Sequence, residues 1–359
     1  MSTRPNYDSR ILSSAQAINE ALQEAGGRHS DVLLLAEGVD DPSSVYGTTK
    51  NLVETYGSER IIEMPIAENG LLGVAIGAAI AGKRPIISFQ RVEFALLALE
   101  QIINNAAKMH YISNGTHKCP LVIRLVIGRG WGQGPEHSQS LETLFSYIPG
   151  LKVLLPVFPA DYKGMLLSAI EDNNPVIVLE HRWTHYLKGY VPPGYYCSDI
   201  TKPQLLKVGE HCTVVASSYS VVEALKAAEA LHAAGITVDL FDLRVSRPLN
   251  VADIVTSVKK TGRLLTVDVG YSTLGLGSEV IACVTEQCFH DLKQPPKRIG
   301  LPEHPIPSSR GYLPGLYPNA NKIVIAVCEL VQRRDLMDIK MISDLLPLDI
   351  PDPAFQGPF

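Results

Sequence analysis

An α/β fold of two parallel-sheet domains is what three observations on the sequence predict. Short apolar, β-branched runs alternate with helical patterns along nearly the whole chain. One stretch rich in Pro, Gly and Tyr, "HYLKGYVPPGYYCSDITKP", interrupts that alternation. The 359 residues are 46% hydrophobic and 19% charged, enough apolar material for two cores. Strands inside a parallel sheet are covered on both faces, so they read as continuous apolar runs rather than alternating ones.

In chain order, "DVLLLAEG" reads as a strand, the segment after Asn69 as a helix and "RPIISF" as a strand. "ALLALEQIINNAAKMHYI" follows as a helix, "PLVIRLVIG" and "LKVLLPV" as strands, "DYKGMLLSAIED" as a helix and "PVIVLEH" as a strand. These place a first domain over 1–185. Residues 186–204 read as a linker, because Pro and Gly at that density support neither helix nor regular strand. From "QLLKV" the alternation resumes through "HCTVVASS", the helix "SVVEALKAAEALHAAG", "TVDLFDLRVSRPL" and the helix "VADIVTSVKKTG". "RLLTVDVG", a helix from Gly277 to Cys288 and the apolar run "KIVIAV" complete a second domain over 205–340. The Pro-rich residues 341–359 read as an arm.

Composition excludes several functions. A formal charge of −5 without a dense Lys/Arg block gives no footprint for nucleic acid or an anionic membrane. No run approaches the length of a membrane span, and "MSTRPNYDSR" has no apolar signal core, so a cytoplasmic protein is expected. Six cysteines without a CxxC pair read as free, mostly buried thiols. No G-x-S-x-G elbow marks a serine hydrolase.

One acid stands out. In "IAENGLLGVAIGAAIAGKRPI", Glu68 sits where the chain enters a helix whose Gly70, Gly73, Gly77 and Ala81 share a face. A face without bulk admits another backbone, either in a core or across a subunit boundary. An acid at a helix start is also favoured by the helix dipole, so the stretch alone leaves structure and function both open.

Six segments in the same order carry a resemblance: "MPIAENGLLGVAIGAAIAGKRPIISF", "ALEQIINNAAKMHYISNG", "GPEHSQSLETLFSYIPGLKVLLP", "SAIEDNNPVIVLE", "LRVSRPL" and "GLGSEV". Over roughly residues 10 to 335 the chain resembles the β subunit of thiamine-diphosphate-dependent 2-oxo acid dehydrogenases, the E1 component of pyruvate and branched-chain complexes. The resemblance implies a pyrimidine-binding domain followed by a transketolase C-terminal domain. It implies that Glu68 binds N1′ of the cofactor's pyrimidine, so that the 4′-amino group can take a proton from the thiazolium carbon. An acid held in such a dry pocket is expected to have a raised pKa.

The resemblance also matches Phe94 to an aromatic that stacks on the pyrimidine, with Gln90 in the same pocket segment. His137, in "GPEHSQS", matches a histidine that orients or protonates intermediates and assists acyl transfer to lipoyl. Asp172 and Asn174 match a loop that holds a structural potassium ion in some relatives; a plain helix-ending turn explains them equally. Arg91 and Arg129 depart from the family's usual residues, and a guanidinium there suits a substrate carboxylate or phosphate.

The family's diphosphate and Mg2+ are anchored by a Gly-Asp-Gly motif, which this chain lacks. The resemblance therefore implies an α subunit that holds both and an α2β2 assembly. It also implies a 2-oxo acid substrate, and leaves open whether a lipoyl acyltransferase is the acceptor. Two other functions fit the same departures: a split transketolase-like ketol transferase, and a non-catalytic scaffold for an α chain.

Overall fold

Ser13 and Gln16 cap each other: the Ser13 hydroxyl accepts from the Gln16 N–H at 3.2 Å, and the Gln16 side chain accepts from the Ser13 N–H at 2.8 Å. This box satisfies two orphan donors and starts helix α1 (Ser14–Arg28) directly after strand β1 (Ile11–Ser13). The S-x-x-Q spacing is the sequence signal for α1, which the alternation above does not include. The computed structural model describes residues 10–39, 41, 45–129 and 132–336. The 341–359 arm and residues 1–9 lie outside the described residues.

The chain forms two compact units. One runs to Ile127 and takes up Phe145–Ile200; the other comprises Gly128–Leu144 and the chain from Thr201 on. A single cut at 185 assigns Gly128–Leu144 to the first domain, whereas its packing places it with the second.

After α1 the first unit continues with β2 (Val32–Ala36), α2 (Leu52–Tyr56), β3 (Ile61–Glu63), α3 (Glu68–Ile80), β4 (Arg84–Phe89), α4 (Met109–Ile112) and β5 (Val122–Ile127). The short α5 (Glu142–Ser146) precedes β6 (Lys152–Leu154), α6 (Pro159–Glu171), β7 (Val176–His181) and β8 (Lys188–Tyr190). Its sheet is parallel, in the order β6-β7-β5-β4-β2-β3. All six residues of β5 and of β7 are buried, Arg124, Glu180 and His181 among them. Lys163 on α6 is fully buried and bonds Glu20 and Glu24 of α1, so the two helices are joined by charge as well as packing.

Two expectations for this unit are corrected. The linker is not devoid of regular structure: Lys188–Tyr190 pairs antiparallel with Ile11–Ser13, finding its partner at the far end of the unit's sequence. The helix expected over "ALLALEQIINNAAKMHYI" is a 3-10 segment (Phe94–Ala98), a π segment (Gln101–Ala106) and α4 in succession. The side chain of Gln101 donates to Asn69 at 3.3 Å and accepts from Asn105 at 2.8 Å, tying the π segment to the start of α3.

Helix α3 buries Leu71, Leu72, Ala75, Ile76 and Ala79. Its glycine face is only partly covered inside the unit: a Cβ on Gly73 would touch the Gln101 side chain at 3.8 Å, whereas one on Gly70 or Gly77 would meet nothing within 4 Å. Val74 is 59% exposed and Ile80 41%. Among the described residues, close packing on this face is confined to Gly73.

The second unit contains β9 (Gln204–Lys207), β10 (Cys212–Ala216), α7 (Ser220–Ala233), β11 (Val238–Asp242), β12 (Val245–Arg247), α8 (Ala252–Thr261) and β13 (Leu264–Tyr271). After these come α9 (Leu276–Cys288), β14 (Lys297–Leu301) and α10 (Ala320–Leu330). Its sheet order is β14-β13-β10-β11-β9. The sheet is not purely parallel, because edge strand β9 runs antiparallel to β11. "KIVIAV" lies within helix α10: Asn319 caps it by accepting from the Lys322 N–H at 2.9 Å, and Ile323, Val324, Ala326, Val327 and Leu330 are buried. That period is helical, and the cap sits just before the run that reads as extended. Strand β14, "KRIGL", has a weak apolar signal and owes its place to pairing with β13. All six cysteines are free, with Cys119, Cys212, Cys288 and Cys328 buried.

Candidate active site

Glu68 is the first residue of α3 and is 4% exposed. Its carboxylate forms no hydrogen bond or ion pair with another described residue. Strand order supplies its surroundings. Because β2 lies between β3 and β4, the residues following their carboxyl ends gather at one edge. Glu37 follows β2, Glu63 ends β3, and Gln90 follows β4. Glu37 is buried, and its Oε1 has no hydrogen-bond partner among the described residues. Burial, then Glu68, then Glu63 push the Glu37 carboxyl up to about 7. The Gln90 amide donates to the Glu37 carbonyl at 3.4 Å, and the Gly38 N–H donates to Glu63 at 2.9 Å. Gly38 has φ +86°, and a Cβ there would lie 2.7 Å from the Gln90 amide nitrogen, so only glycine fits this turn. Phe94 is half-buried at the start of its 3-10 segment.

Sequence reasoning missed Glu37 and Glu63. Their signal was available: each acid stands at the carboxyl end of an apolar parallel strand, where α/β sheets bind ligands. Arg182 was missed as well. It is 3% exposed, immediately follows β7 and donates to the Tyr46 hydroxyl at 3.4 Å. Burial and the neighbouring Arg91 lower its pKa, so two guanidiniums share this part of the unit.

His137 and Arg129 belong to the second unit. The His137 Nδ1 lies 2.6 Å from the Glu136 carbonyl, which can only accept, so Nδ1 is the donor in that contact. The loop before it is shaped by close approach: a Cβ on Gly132 or Gly134 would fall 2.5 or 2.3 Å from an oxygen of Ser308. Trp131, its neighbour in the sequence, lies outside the described residues. Arg129 stacks over the rings of Tyr317 and Tyr219.

Asp172 and Asn174 form a helix-ending turn. The Asp172 carboxylate binds the Lys152 ammonium and accepts the Asn174 N–H at 2.9 Å. Arg84 donates to the carbonyls of Ile170 at 2.7 Å and Asp172 at 3.3 Å. No cluster of three or more His, Cys, Asp or Glu suited to a metal ion occurs among the described residues. The Asp172 side chain is paired with the Lys152 ammonium.

The second unit holds its own acid pair, Glu142 and Asp268, both buried. Burial and then Asp268 push the Glu142 carboxyl up to about 7, opposed by the N–H groups of Glu142 and Gly270. Burial pushes Asp268 up to about 6 against the Gly277 N–H at 2.7 Å and the Ser217 hydroxyl. A carboxyl raised in the fold stabilises below its ordinary pKa range, and that stability is lost as pH rises through the folded value. The denaturation midpoint is therefore expected to fall between pH 5 and 8, and Glu142→Gln to remove up to about 3 kcal/mol of that fall. Urea unfolding of both proteins at several pH values checks this; equal slopes in the two would exclude it.

Residues 11–185 match the transketolase pyrimidine-binding domain and residues 202–323 the transketolase C-terminal domain. The chain is 38% identical over 327 residues to the 2-oxoisovalerate dehydrogenase subunit beta of Bacillus subtilis strain 168, covering 90% of this chain and 99% of that protein. It is 37% identical over 292 residues to the pyruvate dehydrogenase E1 component subunit beta of Rickettsia bellii strain RML369-C, covering 81% and 90%. It is 36% identical over 334 residues to the acetoin:2,6-dichlorophenolindophenol oxidoreductase subunit beta of the same Bacillus strain, covering 90% and 98%. A solved structure, a split-gene transketolase as an inactive β4 tetramer, matches with a TM-score of 0.71 at 25% identity, covering 90% of this chain and 99% of that one. Two transketolase-type domains in order, and such identity over nearly whole relatives, mean that this chain belongs to the family of the E1 β subunits of 2-oxo acid dehydrogenases.

Proposed function

We propose that this chain is the β subunit of a thiamine-diphosphate-dependent enzyme that decarboxylates a 2-oxo acid and passes on the acyl group. It supplies the pyrimidine half of the cofactor site. The observation that carries this reading is the buried Glu68 at the start of α3, held beside Glu37, whose raised carboxyl has an oxygen without a partner among the described residues. These residues suit a heteroaromatic ring with a protonatable nitrogen.

When bound, thiamine diphosphate supplies a nucleophilic carbon and an electron sink. Glu68 holds a proton at N1′ of the pyrimidine. Glu37, protonated near neutral pH, spares Glu68 a second full negative charge at close range. Phe94 presents its ring to the pyrimidine face, and Gln90, anchored on the Glu37 carbonyl, closes one side. His137 orients or protonates the reacting oxygen. Arg91 takes the substrate's carboxylate.

An α subunit holds the diphosphate and Mg2+, in keeping with the missing Gly-Asp-Gly. In an α2β2 assembly a partner chain covers the open glycine face of α3 and its exposed Val74 and Ile80. A potassium ion at the Asp172 turn would have main-chain carbonyls as ligands, and a lipoyl acyltransferase is the acceptor. The likeness to a split transketolase supports ketol transfer as the second reading.

The test is carbon dioxide release from a panel of 2-oxo acids, with the chain purified alone and with its α partner. Activity is expected only from the pair and only with thiamine diphosphate. A pair that binds no cofactor and catalyses neither decarboxylation nor ketol transfer would leave the scaffold reading in its place.

A further inference from the structure

The second unit buries two acids where several of its segments meet. Glu142 is 1% exposed and Asp268 4%. Asp268, on β13, holds the start of α9 by accepting the Gly277 N–H at 2.7 Å. The Ser217 hydroxyl, from the turn after β10, donates to it at 3.4 Å. Glu142 follows the stretch that carries His137, and its carboxylate lies against the backbone of β13. A Cβ on Gly270 would fall 2.4 Å from the Glu142 Oε1, so glycine is what lets the acid in. The N–H groups of Glu142 and Gly270 serve that carboxylate. Two acids thus fasten the His137 stretch, β13 and the start of α9 at one point.

The charges around the pair do little to quiet it. From β14 the Arg298 guanidinium acts on Asp268, but it also donates to the Ser278 hydroxyl at 2.8 Å. Glu279 of α9 accepts from Cys283 along the outer side of its helix. Tyr271, at the end of β13, is pushed up by burial and Glu303. Burial and Asp268 hold the Glu142 carboxyl up at about 7, and burial holds Asp268 up at about 6. The pair keeps a proton in mild acid and loses it as pH rises through those values, leaving two like charges in a dry site. The backbone beside it is strained as well: Leu141 has φ +51° and Leu274 φ +56°, a region costly for leucine. Both border a cavity of about 180 Å³ together with Glu142, Tyr271, Leu301 and Ile306, so a released backbone has room to relax.

We infer that Glu142 and Asp268 form a proton-operated latch. With a proton on one of them the stretch from Gly132 to Leu144 is seated on the second unit; without it the stretch is released. Glu142 is then a positioning residue for His137. That consequence rests on the role proposed for His137, whereas the latch itself does not.

The test is amide hydrogen exchange of the full chain, read by mass spectrometry at pH 6 and pH 8 and corrected for intrinsic rates. Protection of residues 132–144 is expected to fall about tenfold, the size set by one proton bound near pH 7 in the seated state and at the ordinary glutamate pKa in the released one. Strand β10 should exchange more slowly than the stretch at both pH values. In Glu142→Gln, neutral throughout, the fall should shrink to about twofold or less. Asp268→Asn, which removes the repulsion, should reduce it too and serves if the first variant does not fold. No fall in the parent, a variant that falls as far as the parent, or a stretch that exchanges only together with β10 overturns the latch. In the assembled enzyme, kcat should decline over the same pH range and decline less in Glu142→Gln. A latch that switches by exchange without that change in the kcat profile keeps the inference and removes His137 from the mechanism.

Discussion

Glu68→Gln is expected to cut the turnover of the assembled enzyme by about 10²- to 10⁴-fold, the usual range for removing a group that holds a catalytic proton. The fold should survive. Glutamine matches the shape of the side chain, and Glu68 has no hydrogen bond or ion pair with another described residue to lose. Removing its charge also relieves Glu37, whose carboxyl is raised partly by that neighbour. The variant should therefore unfold at the parent's temperature or slightly above it, while its kcat collapses. Steady-state kinetics on the reconstituted pair, with thermal unfolding of the lone variant, separate the two effects. Turnover within a few-fold of the parent would remove Glu68 from the mechanism, and a large fall in stability would make its role structural.

Arg124→Met is expected to destabilise the chain by about 3–5 kcal/mol, although Arg124 takes no part in the chemistry. Arg124 and Glu180 are 2% and 1% exposed and pair across β5 and β7 at 2.6 and 3.0 Å. The His185 ring adds a contact to Glu180 at 3.0 Å. Burial works against the Glu180 carboxylate, yet Arg124 and His185 hold its pKa down to about 2. Its stability is therefore present above the ordinary glutamate range and is lost as pH falls through about 2. Without Arg124 the buried carboxylate keeps only His185, and stability should start to fall at a higher pH. Adding Glu180→Met should recover part of the loss, because two apolar groups cost less than one unpaired charge. Urea unfolding of the two single variants and the double gives the coupling. A single-variant cost below about 1 kcal/mol would show that water or rearrangement replaces the arginine.

The sequence by itself determined what depends on local order. The apolar runs of β2, β4, β5, β7, β10 and β13 are continuous because both sheet faces are covered. Glu68 at the start of α3 and the ordered motifs through His137 were legible for the same reason, since the residues that carry them are neighbours in the chain. Only the tertiary structure decided what depends on which strands lie side by side. The order β4-β2-β3 brings Glu37 beside Glu63 and Glu68 and under Gln90, from strand ends that no spacing rule connects. Lys188–Tyr190 became a strand because β1 lies within reach, and Gly128–Leu144 joined the second unit through its contacts rather than its position in the chain. "KIVIAV" became a helix once Asn319 capped it and one side found a core. Whether the glycines of α3 face a core or open space was undecidable from their spacing, because spacing defines a face and packing chooses what covers it.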